Sequence, residues 1–270
     1  MYTTDLTDSQ WQNITDNLDF KIWKRKRKYP IRLIINAILY VNKTGIQWRM
    51  LPNDFPDWKL VYYYFRKWAQ DGTVEKIHNS MLVQVREKLG KDPSPSLGLV
   101  DSQSVKSMSI TDFKGFDGNK KVEGRKRFII TDTLGFILSL VITQGNIGER
   151  AGAKLAIEKL ENRFARLTKI LADQGFDGVE FIAQIKEGFN IVLEVVTQVL
   201  GIKGFQVIPK RWIVERTFGW FAFHRRLTKD YEVNVSHSEA FIYWTMIKIM
   251  SRKKLVEHKF RQPLRYLMKN

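Results

Sequence analysis

The chain has no cysteine, so neither a disulfide framework nor a thiolate-held metal is open to it, and the absence fits an intracellular protein. Its four histidines are scattered and argue against a zinc centre. No apolar run reaches the ~18 residues that a membrane-spanning helix needs, and the stretch from Met1 to Leu6 lacks the basic-then-apolar pattern of a signal peptide. Acid is the scarcer charge. Against 45 Lys and Arg stand 28 Asp and Glu, giving a net charge of +17 and a pI of about 9.9. Such an excess points to a polyanionic partner, nucleic acid first. A merely basic soluble protein and a binder of anionic membrane surfaces are the weaker readings. What is plentiful is apolar: 44% of the 270 residues, 13% aromatic, enough to bury the core of one large domain or two modest ones.

The first third reads as helices. Thr7, with Gln10 three residues on, opens a capped helix whose stripe is Trp11, Ile14 and Leu18. The basic run Lys24, Arg25, Lys26, Arg27, Lys28 follows, either a solvated loop or a phosphate-contacting segment. Pro30 precedes a helix with Leu33, Ile34, Ala37, Ile38 and Val41 at helical spacing, closed by Thr44 and Gly45. A third begins near Asp57, with Trp58, Val61, Tyr62, Phe65 and Trp68 as its stripe and Arg66 and Lys67 on other faces. A fourth runs from about Thr73 to Leu89. Compact helices carrying basic and aromatic residues outside fit a helix-turn-helix-like DNA binder, the alternative being a bundle packed on a neighbouring domain.

Gly90 to Ser96 is a linker, and the pattern beyond it turns to strands. Leu97 to Val100 runs into Asp101. Ser107 to Arg127 is polar and basic, with Lys120, Lys121, Arg125, Lys126 and Arg127. Phe128–Thr131 and Phe136–Thr143 flank Asp132–Gly135 as a hairpin. A helix over 146–163 should turn Leu155, Ile157, Leu160 and Phe164 inward. Thr168–Ala172 is a short strand ending at Asp173; a helix, a strand over 190–196, a helix after Pro209 bearing Glu215, and a last helix over 238–250 complete the order. That order supports a mixed α/β sheet with helices on both faces. Three divisions result: a helical DNA-binding domain over 1–92, a catalytic domain over 93–250 and a basic tail over 251–270.

Asp101 and Asp173 both follow short buried strands, where open α/β sheets bind their ligands. On neighbouring strands their carboxylates would converge and repel unless a cation intervened, and Glu215 could supply a third side. Three carboxylates suit two Mg²⁺ ions, hard cations that take oxygen ligands, in an in-line phosphoryl displacement. Taken singly, each acid is also explained as a cap or ion-pair residue. Asp132 in its turn, Asp177 in its loop, Glu149 at a helix start and Glu194 within a strand rank below the trio.

At these residues the chain resembles the DDE transposases of bacterial insertion sequences, in the family named after insertion sequence five. The resemblance runs through Leu6-Thr-Asp and Gln10-Trp11, Thr44-Gly45, Trp48-Arg49, Leu51-Pro52, Phe65-Arg66 and Trp68. It continues in Asp101-Ser-Gln-Ser-Val-Lys106, Gly124-Arg-Lys-Arg127, Asp132-Thr with Gly135, Leu171-Ala-Asp173, and Arg211-Trp with Val214-Glu-Arg216 and Phe218. It implies an RNase H-like core, two Mg²⁺ with Mn²⁺ as a substitute, and Asp101, Asp173 and Glu215 as the catalytic, metal-holding triad. It implies double-stranded DNA as partner (element ends and target), a homodimer or higher assembly on DNA, no membrane role, and a cytoplasmic, nucleoid-associated life. It also implies that Arg211 helps hold DNA or the acid. The expected DNA contacts are the run Lys24 to Lys28 with Arg49, Arg66, Lys67, Lys120, Lys121, Arg125, Lys126, Arg127, Arg211, Arg216, Arg225 and Arg226. Two departures stand out. The wider superfamily has a Tyr three residues before that arginine and a Lys seven after the glutamate; Ile208 and Ala222 stand there, leaving Arg225 or Arg226 for the phosphate. The family's usual His after Gly-Arg-Lys-Arg is Phe128, read as a core position. The expected activity is hydrolysis at the element's ends and joining of the freed 3′-hydroxyls to target DNA. The rival readings are a non-catalytic regulator on a decayed scaffold and a nuclease without strand transfer.

Overall fold

Strand β1 (Leu97–Lys106) organises the sheet because its two edges do different things. One edge pairs antiparallel, over its length from Leu99 to Lys106, with β3 (Val122–Thr131). The other pairs parallel with β5 (Lys169–Ala172), but only as far as Leu99 opposite Leu171. Beyond β3 lies β4 (Ile137–Gln144), antiparallel, and beyond β5 lies β6 (Val192–Val195), parallel; β2 (Gly115–Asp117) adds to the start of β3. The order β4, β3, β1, β5, β6 makes a mixed sheet, as the chain order led one to expect, and it is RNase H-like, as the resemblance implied. These elements come from a computed structural model that describes residues 2–16, 28–108, 110–111, 113–160, 163–196 and 210–252.

Both faces of the sheet are covered, so its central strands are apolar on both sides. Phe128, Ile129 and Ile130 are all fully buried, as are Ile137, Leu138 and Leu140. Neighbouring residues on a strand point to opposite faces. Phe128 meets α5 (Glu149–Glu158) so closely that a Cβ on Gly152 would come within 2.1 Å of its ring; Phe128 is a core residue. Arg127, next to it, points the other way, to the carbonyl of Leu227 that follows α7 (Trp212–Ala222). The helix α6 (Val179–Phe189) packs beside β6 and α5.

The N-terminal helices form where their caps and stripes place them. In α1 (Asp8–Thr15) Thr7 and Gln10 close a reciprocal capping box. In α2 (Ile31–Thr44) Gly45 takes the left-handed conformation at the end. Asp57 caps α3 (Trp58–Gln70), and α4 (Thr73–Lys88) follows Gly72. Their apolar stripes close on α8 (Val235–Met250), which lies among them: the rings of Phe65 and Phe241 pack, tilted, with centroids 4.4 Å apart, and Asn42 donates to the carbonyl of Phe241 and the hydroxyl of Thr245. One continuous hydrophobic cluster runs through these helices and the sheet.

The polar and basic span from Ser107 to Arg127 contains β2 and the first half of β3, and its buried cations find internal partners. One expectation fails here. Leu155 is 44% exposed. The buried side of α5 is instead Gly152, Ala153, Ala156 and Ile157, small residues that allow the approach to Phe128. Among the described residues no helix is long and apolar enough to cross a membrane.

Candidate active site

The offset that pairs β1 with β5, carried two residues past Leu99 and Leu171, sets Asp101 beside Asp173. Asp101 lies inside β1 rather than at its end, since β3 continues the ladder to Lys106 after β5 has stopped. It is half-buried and accepts the amide of Ser102 at 2.7 Å. Asp173 ends β5, and its Oδ1 accepts the amide of Gly175 at 2.9 Å, which folds the chain into a short 3-10 turn. Glu215 stands in the first turn of α7, and Arg211 precedes that helix. The Arg211 Nη2 lies 3.3 Å from Asp173 Oδ2 and 3.6 Å from Glu215 Oε1, so one guanidinium gathers two of the expected acids. The third feels them: burial first, and then the charges of Asp173 and Glu215, push the Asp101 carboxyl up to about 7, against the opposing pull of the Ser102 amide and Arg211.

A model described as a transposase DDE domain matches residues 92–250, more than half of the chain. One described as a putative transposase of the IS4/5 family matches residues 6–78. The chain belongs to the DDE transposases of the IS4/5 family. Among solved structures, the crystal structure of the Mos1 strand transfer complex aligns over 92% of this chain and 83% of that one, at 13% identity and a TM-score of 0.25, too loose a likeness to bear on the site. No curated protein matches the chain.

What seats Glu215 in this transposase is its neighbours on α7. Ile213 and Val214 are buried. The Arg216 guanidinium lies 4.7 Å from the Trp212 ring and 5.0 Å from the Trp220 ring, and Nη2 donates to the Leu134 carbonyl at 2.7 Å. Thr217 donates to the Gly135 carbonyl at 2.8 Å. Both carbonyls belong to the β3–β4 turn. That turn is organised by Asp132, fully buried, which accepts the amides of Leu134 and Phe136 at 2.9 Å and forms an ion pair with Arg86 of α4. Gly135 has φ +86, and a Cβ there would come within 3.0 Å of both Arg216 Nη2 and Thr217 Oγ1. Gly135→Ala is expected to cost about 1–2 kcal/mol. A Tm equal to that of the unaltered protein would show that the turn does not press on α7.

The basic residues expected to touch DNA divide sharply. Lys28, Arg49, Arg66, Lys67, Lys120, Lys121 and Arg225 are exposed. Arg66 and Lys67 line a shallow groove with Tyr63, Gln70 and Asp71. Lys24, Arg25, Lys26 and Arg27 lie outside the described residues, as do Ile208, Pro209 and the tail after 252. Arg125, Lys126 and Arg127 are a correction: they are interior residues of β3. Arg125 is fully buried and donates to Asp230, Ser238, Thr111 and the carbonyls of Phe113, Glu232 and Val233. Lys126 pairs with Asp117 at 3.1 Å and Glu149 at 3.2 Å. Arg127 is 1% exposed and donates to Gln103 and Leu227. Arg226 is likewise held, by an ion pair to Glu232 and by the rings of Tyr231 and Phe241. Arg216 is committed to the turn. A guanidinium or ammonium buried among partners inside the fold is out of reach of a phosphate on the surface.

The sequence also underrated Glu149. It bonds to buried Lys126, and its Cγ would lie 3.3 Å from a Cβ on Gly175, so it backs the turn that Asp173 caps. Read alone, an acid at a helix start suggests only the dipole; nothing along the chain ties it to Lys126.

DDE transposases generally use divalent cations, and the donor set here suits one: three carboxylates, oxygen only, one of them raised by its burial and, less, by the charges of the other two. Among the described residues no three acids or histidines yet converge at ligating distance. Arg211 stands between two of them.

Proposed function

We propose that the transposase binds the terminal inverted repeats of its own element, hydrolyses the phosphodiester at each end, and joins the freed 3′-hydroxyls to target DNA. The observation that carries this reading is the gathering of Asp173 and Glu215 on one guanidinium within reach of Asp101's charge. The net charge of +17 supports a DNA partner. Asp101, Asp173 and Glu215 are the residues that would hold two Mg²⁺ or Mn²⁺ ions. Held there, they would supply charge to activate a water or 3′-hydroxyl and to stabilise the leaving oxygen.

The chain's own residues then orient and grip. Gly175 fixes one Asp173 oxygen and leaves the other for the site. Arg216 and Thr217 hold the Glu215 turn against the sheet. The exposed cations Lys28, Arg49, Arg66, Lys67, Lys120, Lys121 and Arg225 supply phosphate contacts without reading sequence. Assembly as a dimer or larger on paired ends belongs to the same reading.

The test is incubation of the full chain with duplexes carrying the repeats that flank its coding region, in Mg²⁺ or Mn²⁺. Cleavage at the repeat ends followed by joined products is expected. Cleavage without joining would leave a nuclease, and binding without cleavage under any divalent cation would leave a regulator; either result ends the proposal.

A further inference from the structure

We infer that Arg211 is a resident counter-ion that competes with the divalent cation for the oxygens of Asp173 and Glu215, and that it must leave them before the metal site is complete. The inference rests on the reading of the three acids as the metal-holding set and adds to it.

Two acids that repel each other need a positive charge nearby when no metal is bound. Arg211 provides it, at 3.3 Å from Asp173 and 3.6 Å from Glu215. Its place is that of the cation, because among the described residues the acids do not converge at ligating distance while the guanidinium lies between two of them. Both contacts are long for charge-assisted hydrogen bonds. They also face solvent: the side chain of Arg211 is 22% exposed, that of Asp173 30% and that of Glu215 54%. Solvent-exposed pairs of this kind are weak, so the latch opposes a divalent cation without excluding it. The contrast with Arg216 is instructive. That guanidinium is clamped by two indoles and a backbone carbonyl, whereas the described polar contacts of Arg211 are with the acids themselves, leaving its side chain able to swing out towards a phosphate.

The experiment is Mn²⁺ binding to the full chain without DNA, followed by loss of the free-ion paramagnetic signal and by the rise in Tm on adding Mn²⁺. Arg211→Gln keeps the length and planarity without the charge. It should tighten Mn²⁺ binding about three- to tenfold and enlarge the Mn²⁺-induced rise in Tm. Arg211→Lys, which keeps a charge but loses the fork, should fall between, and circular dichroism checks that each variant is folded. Glu215→Gln should weaken Mn²⁺ binding. If Arg211→Gln binds Mn²⁺ no more tightly while Glu215→Gln weakens it, the counter-ion role is overturned and the three-acid site stands. If Glu215→Gln leaves Mn²⁺ binding unchanged, the three-acid site itself fails and the inference with it.

Discussion

Asp101→Asn is expected to abolish strand cleavage and, in the same sample, to make the metal-free protein harder to melt. The first effect follows from losing one of three carboxylates: a fall of about 10³-fold or more, equivalent to about 4 kcal/mol of barrier, with duplex affinity retained. The second follows from the cost of keeping that carboxylate charged where it is. Burial, and then Asp173 and Glu215, raise it from 3.8 to about 7. A carboxyl whose folded pKa lies above its unfolded value lowers stability as pH climbs from the lower value to the higher, and the whole penalty is present above it. Asparagine carries no such charge. Because the group is only half-buried, solvent reduces the penalty to about 1–3 kcal/mol. Melting curves in chelator should therefore show the variant's advantage growing from pH 3.8 up to about pH 7 and levelling off beyond. An advantage that is absent, or flat with pH, would mean that neither burial nor the neighbouring acids weigh on Asp101, and the site as drawn would be wrong.

Arg125→Met is expected to unfold the protein or bring it close. Arg125 is fully buried, and its removal strands the Asp230 carboxylate, whose side chain is 1% exposed, together with the carbonyls of Phe113, Glu232 and Val233. Breaking one side of a buried ion pair costs about 3–5 kcal/mol, a large part of the 5–15 kcal/mol that typically holds a domain together. Urea and thermal melting measure it directly. Lys120→Gln is the useful comparison, since Lys120 is exposed beside β2: its melting should not change, while duplex binding weakens and loses part of its salt dependence. If Arg125→Met melted normally and bound DNA poorly, the arginine would be a surface contact after all.

The contrast between those two cations shows where the sequence stopped being legible. Gly-Arg-Lys-Arg reads as a basic patch because composition carries the sign of a charge and not its partner. The carboxylate that answers Arg125 is 105 residues away, and the one that answers Lys126 from α5 is 23 away. Local signals did better. The Thr7 capping box, the helix start near Asp57, Gly45 as a stop and the β3–β4 turn all depend on residues within four or five positions of each other. Asp173 was placed correctly at a strand end for the same reason. Asp101 was placed one strand-half too early, because the length of β1 is set by β3 rather than by its own apolar run. The seat of α8 among the N-terminal helices, and the backing of Asp173 by Glu149, depend on tertiary neighbours that no period along the chain encodes.

The Arg86–Asp132 pair has a mechanical consequence. Arg86 belongs to the fourth helix, Asp132 shapes the hairpin turn, and the carbonyls of that turn hold the segment bearing Glu215. Neither member of the pair can yield without leaving an ion in oil, so the three parts behave as a stiff lever rather than as loosely tethered pieces. A load on the fourth helix would therefore be passed through the hairpin turn to the segment bearing Glu215.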